Sequence, residues 1–121
     1  MKRLLLFFVY FVVFNFFVSA NYSPIIIQNG GGGHDHSEHY ATADMPEVYY
    51  DEDTDEIIIV ADGTSLYYNV EIVSDYLNQT VIMTQVDGYG DTIDVSSLPA
   101  GSYTIVITSE FLNEYEGQFT I

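Results

Sequence analysis

From Pro46 to Ile121 the chain is a series of short β-branched and aromatic runs, each closed by turn residues within a few positions. No apolar periodicity here lasts long enough for a helix, so the segment can bury side chains only as short strands. The runs are EVYY (Glu47–Tyr50), EIIIV (Glu56–Val60), LYYNVEIV (Leu66–Val73), TVIMT (Thr80–Thr84), TIDV (Thr92–Val95), YTIVIT (Tyr103–Thr108) and GQFTI (Gly117–Ile121). Asp62-Gly63, Asp87-Gly88, Gly90-Asp91 and Leu98-Pro99-Ala100-Gly101 punctuate them. Seven strands at roughly 8–12-residue spacing predict an all-β, two-sheet sandwich. SDYLNQ (Ser74–Gln79) is one turn at most.

Alternation assigns the faces. Tyr103, Ile105 and Ile107 share one side of their strand, as do Tyr68, Val70 and Ile72, Ile93 and Val95, and Phe119 and Ile121. These residues form the expected core. EIIIV is apolar on both faces, which calls for a cover over its second face or nearby edge.

Ahead of this domain the texture differs. Lys2 and Arg3 precede an apolar run from Leu4 to Val18, and Val18-Ser19-Ala20 offers small residues at a cleavage position. That is the pattern of a signal peptide, shorter than the roughly 20 apolar residues that span a bilayer. Residues 1–20 are expected to be removed, leaving an exported chain with no stable membrane anchor. Residues 21–45 are read as a flexible leader of glycines and polar residues, with a short strand at Ile25–Ile27. That strand is expected to fold back onto its own sheet, or onto a second copy in a strand-swapped dimer. Residues 46–121 are the sandwich.

Charge narrows the partners. The chain has 18 acidic residues and two basic ones, and cleavage after Ala20 takes the formal charge from −16 to −18. Nucleic acid and anionic lipid need a basic footprint, which is missing. Repulsion among so many carboxylates is expected to raise their pKa values, so that stability falls as pH rises through the carboxylate range. There is no cysteine to staple the domain and, from Pro46 on, no His, Cys, Lys or Arg. Ser-His and Cys-His nucleophile pairs are thus excluded from the folded part, and a sandwich this small has little room for a cleft. The chain is read as a non-enzyme that uses no cofactor.

At DVSSLPAGSYTIVIT and YEGQFTI the chain resembles a family of small exported immunoglobulin-like domains of unknown function in the Bacteroidetes. The shared features are Leu98, Pro99, Gly101 and Tyr103, followed by Gly117 and Phe119. The resemblance implies a seven-stranded immunoglobulin-like β-sandwich, with Tyr103 as the tyrosine corner. Related in pattern are the C-terminal sorting domains of type IX secretion. Here no cargo precedes the domain and no basic residue ends it, which places the sorting role second.

Three groups are candidate sites. His34, His36 and His39, with Asp35 and Glu38 between them, carry zinc-ligand chemistry but follow four glycines, so they read first as a solvated tether. Asp51, Asp53 and Asp55 start like a calcium loop, yet Glu56 stands where an EF-hand needs glycine and strands flank the segment. A solvated turn is expected, with weak calcium or zinc binding as the alternative function. In Tyr49-Tyr50 and Tyr67-Tyr68 one ring of each pair must face outward, where tyrosine is a good contact group for proteins or sugars. The reading is a non-catalytic interaction module for an envelope or extracellular protein, or a glycan.

Overall fold

The computed structural model describes residues 22–29 and 43–121. The signal-peptide segment, the glycines and His34, His36 and His39 lie outside the described residues. No helix forms among those described. The strands are β1 (Tyr22–Ile25), β2 (Ile27–Asn29), β3 (Glu47–Asp51), β4 (Glu56–Val60), β5 (Tyr67–Ser74), β6 (Gln79–Asp87), β7 (Gly90–Asp94), β8 (Ser102–Ser109) and β9 (Glu114–Thr120). They form two antiparallel sheets, ordered β1-β3-β4-β7 and β2-β9-β8-β5-β6. Seven strands lie in the expected segment, and two more come from the stretch before it.

The core follows the alternation. Tyr68, Val70, Ile72, Ile93, Val95, Tyr103, Ile105, Ile107 and Phe119 are all buried. SDYLNQ is a single tight turn, in which the Asn78 amide donates to the Ser74 carbonyl at 2.7 Å. Where the chain crosses from β7 to β8, the Tyr103 hydroxyl donates to the Pro99 carbonyl at 2.5 Å, the tyrosine-corner bond. The Tyr103 ring stacks on Phe119 with centroids 5.6 Å apart, and Phe119 meets Tyr50 at 5.9 Å. Leu98 packs half-buried against the core, and Gly101 exchanges two backbone bonds with Ile121. Leu98, Pro99, Gly101, Tyr103 and Phe119 are therefore spent on closing this end of the core.

The early strands behave differently from the expectation of one strand at Ile25–Ile27. β1 pairs with β3 in the first sheet, and β2 pairs with β9 in the second. The chain changes sheets at Ile26, which points outward, while Ile25 and Ile27 on either side are buried. The segment closes the open side of the sandwich between β3 and β9. Gly117 makes the crossing feasible. A Cβ there would lie 2.7 Å from Ile27 Cγ2, 2.8 Å from Ile25 Cγ2 and 3.0 Å from the Ile26 carbonyl oxygen. A glycine in a strand often marks such a close backbone approach.

The cover expected for β4 is not what β1 supplies. β1 lies beyond β3 at the sheet edge, so it extends the sheet without capping the outer face of β4. Ile58 is half-buried between its cross-strand neighbours Tyr49 and Thr92, and Val60 is exposed.

Candidate functional site

The β4–β5, β6–β7 and β8–β9 connections meet at one end of the sandwich and are locked together by long-range bonds. Asp62 folds the first of them locally, its carboxylate accepting from the Thr64 hydroxyl at 2.6 Å and the Thr64 amide at 3.1 Å. Those bonds favour the charged carboxylate and hold its pKa below the usual range. The Gly63 amide then donates to the Gly88 carbonyl at 3.0 Å, and the Gly88 amide to the Leu66 carbonyl at 3.0 Å. Gly63 sits at φ 85°, with the Tyr89 ring where a Cβ would stand, 2.7 Å from Cζ. Only glycine combines that backbone angle with that neighbour.

Ser65 ties this loop to the β8–β9 turn. Fully buried, its hydroxyl donates to the Tyr67 carbonyl at 2.6 Å and accepts from the Glu110 amide at 3.0 Å. Glu110 returns the contact, its carboxylate accepting from the Leu66 amide at 3.1 Å. Within the turn the Ser109 hydroxyl accepts from the amides of Phe111 and Asn113, both at 3.3 Å. Leu112 is held at φ 66°, a left-handed conformation that a branched side chain seldom adopts.

A fourth segment is anchored below them. Asp44, at 3 % exposure, accepts hydrogen bonds from the Tyr115 hydroxyl and from Asn113 Nδ2, the latter at 3.0 Å. The Asp44 carbonyl accepts from the Tyr68 hydroxyl at 2.7 Å. Burial, followed by the charges of Asp44 and Asp62, pushes the Tyr68 phenol up to about 12. Asp44 thus fixes where the chain joins the domain after the histidine segment.

What this framework displays is apolar. Leu66 is 74 % exposed, Tyr89 72 %, Phe111 59 % and Leu112 82 %. Turns favour Gly, Asn, Asp, Ser and Pro, so large apolar residues at four turn positions run against the usual chemistry. In the sequence that anomaly is visible at Tyr89, Phe111 and Leu112, whereas Leu66 reads as the start of the run LYYNVEIV and lies just before β5. The anchors Ser65, Ser109, Glu110 and Asp44 carried no such signal.

The sequence candidates divide. Tyr50 and Tyr68 are buried and cannot be surface contacts, because inward alternation spends both rings on the core. Tyr49 and Tyr67 are half-exposed on the outer faces, with the Tyr49 hydroxyl donating to Glu47 at 3.0 Å. The acidic turn uses its carboxylates locally: Asp51 accepts the Asp53 amide at 3.0 Å, and Asp55 accepts the Tyr50 hydroxyl at 2.9 Å. Among the described residues no three His, Cys, Asp or Glu side chains gather in a metal-holding group. Where carboxylate shifts are resolved, at Asp62 and Asp94, hydrogen bonds lower the pKa, opposite to the shift expected from repulsion. A bond within 3 Å outweighs charges that water screens at longer range.

No family model matches the chain, and no curated protein matches it. Among solved structures, it is similar to a DUF3244 family protein from Bacteroides vulgatus ATCC 8482 with an immunoglobulin-like β-sandwich fold. The two align with a TM-score of 0.64 at 14% identity, over 83% of this chain and 98% of that one. At that identity the likeness establishes the fold: this chain is an immunoglobulin-like β-sandwich.

Proposed function

We propose that the chain is a non-catalytic binding module of the extracytoplasmic space, gripping a partner protein or glycan through the loop end. One observation carries this. Four large apolar side chains are held in solvent on a hydrogen-bonded frame, where a monomeric domain gains nothing from them. Interface anchors are typically rigid and aromatic or aliphatic, set in a frame that needs no reordering on binding. The carboxylates of Asp62, Asp87 and Glu110 lie among the same loops, which favours a partner surface that is neutral or basic around its apolar centre.

Lys2, Arg3 and the apolar run to Val18 support export, and the absence of His, Cys, Lys and Arg after Pro46 supports a non-catalytic role. A place in the exported Bacteroidetes sandwich family is supported by the Leu98–Tyr103 and Gly117–Phe119 motifs together with the shared fold.

The test is comparative capture from envelope extract, using the chain from Asn21 onward, which includes every described strand. Leu66→Asp and Leu112→Asp replace exposed side chains, so stability should change by no more than about 0.5 kcal/mol. Each should nevertheless abolish retention of whatever the unaltered chain retains. Retention unchanged in both variants would move the contact surface elsewhere.

A further inference from the structure

Two sheets present four edges, and three of them are guarded. β1 is four residues long and contains Pro24, which has no amide hydrogen to offer. β2 has only three residues. β7 carries Asp91 and Asp94 within five. Short length, proline and charge are the usual devices that keep a sheet edge from pairing with another chain.

The fourth edge lacks them. β6 runs for nine residues, Gln79 to Asp87, without proline or lysine, and Asp87 at its end is its single charge. In a chain with 18 acidic residues, the stretch from Tyr76 to Val86 has none. A register shift opposite Ile72/Val73 leaves Val81 out of step, and the bulge ends there. From Ile82 to Asp87 the strand is regular, paired to β5 on one side and without a partner strand among the described residues on the other. Met83, Thr84 and Gln85 are exposed, and Ile82 is half-covered.

We infer that β6 is a self-pairing edge, which joins two copies of this chain antiparallel about a two-fold axis at Thr84. That register sets Thr84 against Thr84, Met83 against Gln85, and Ile82 against Val86. Ile82 and Val86 lie on the core-facing side, opposite Ile72 and Tyr68, so the pairing extends the apolar layer across the axis. Asp87 falls opposite Val81, and no carboxylate faces another. Charge opposes the approach of two strongly acidic chains, and it does so least at a strand that is free of acid in both, so the self-complementary register carries the pairing. The antiparallel arrangement also points the two loop ends in opposite directions, so one dimer can bridge two partner molecules.

Sedimentation equilibrium on the chain from Asn21 onward tests the inference, from micromolar to millimolar, at low and high salt. The mass of two chains is expected at the upper concentrations. Added salt should strengthen the dimer, because it screens two like-charged bodies. Thr84→Asp places carboxylates on the axis and should weaken association about tenfold or more, with melting unchanged. Hydrogen exchange supplies a readout that needs no variant: those amides of Ile82 to Val86 that point away from β5 should gain protection as concentration rises. The mass of one chain under all conditions, a dimer indifferent to Thr84→Asp, or concentration-independent exchange of those amides would each overturn it.

Discussion

Gly117→Val is expected to detach β1 and β2 from the sandwich and bring the domain close to unfolding. Even a Cβ alone at this position would stand 2.7–2.8 Å from the Cγ2 atoms of Ile27 and Ile25, and 3.0 Å from the Ile26 carbonyl. Those methyls belong to β-branched side chains with little rotamer freedom, and the carbonyl is backbone, so neither can step aside cheaply. Overpacking of this kind costs about 1–3 kcal/mol when the neighbours stay in place. If they leave, Ile25 and Ile27 lose their burial, at about 1.5–3 kcal/mol each. A small domain without a disulfide has on the order of 5–10 kcal/mol to lose. Gly117→Ala should therefore lower Tm by roughly 5–20 °C, and Gly117→Val by more. In hydrogen exchange, the amides of Ile25 to Gln28 should lose protection before those of β8. Unchanged melting with full protection of that segment would show that the crossing over Gly117 does not form.

The second large effect is alkaline. Burial first, then the hydrogen bond to Asp55 and the charges of Asp55, Glu52 and Asp51, push the Tyr50 phenol up to about 12. Tyr68 reaches about 12 as well, with burial again foremost. In the unfolded chain both ionise near their ordinary value of 10.0. Above that pH the native state holds protons that the unfolded state has released, so stability falls as pH rises. The contribution is complete below pH 10 and gone above about 12. Two units correspond to at most about 2–3 kcal/mol per tyrosine, so the pair removes a large share of the stability of a domain this size. Circular dichroism and phenolate absorbance should therefore report one cooperative transition between pH 10 and 12. Tyr68→Phe should flatten that pH dependence, while costing about 1 kcal/mol at neutral pH through the lost hydrogen bond to Asp44. Stability that stays level through this window would contradict the burial of both hydroxyls.

Parity along a strand was readable from the residues, and it placed Val70, Ile72, Ile105 and Ile107 inside without any knowledge of their partners. It also required one ring of each tyrosine pair to turn inward, and these are Tyr50 and Tyr68. What parity cannot supply is anything decided between distant segments. The run Ile25–Ile27 was recognisable as a strand, but the division of this stretch between two sheets depends on β3 and β9 flanking one opening. Gly117 looks like part of a sequence motif until Ile25 and Ile27 are seen against it. The loop frame is a third case. Ser65 and Glu110 are 45 residues apart, and Asp44 and Tyr115 are 71 apart, so no local pattern links them. Tyr89, Phe111 and Leu112 are apolar residues at positions that read as turns, and Leu66 reads as the first residue of a strand, so they become one surface only once the loops are bound to one another.

The binding role of that surface is tested most directly by photo-cross-linking in the producing cell. A photoreactive phenylalanine analogue replaces Phe111 in one strain and Gln118, exposed on the outer face of β9, in another. A discrete adduct of one mass is expected from position 111 and none from position 118, and Leu112→Asp added beside the probe should remove it. Equal adducts from both positions, or none from position 111, would contradict a binding site at the loop end.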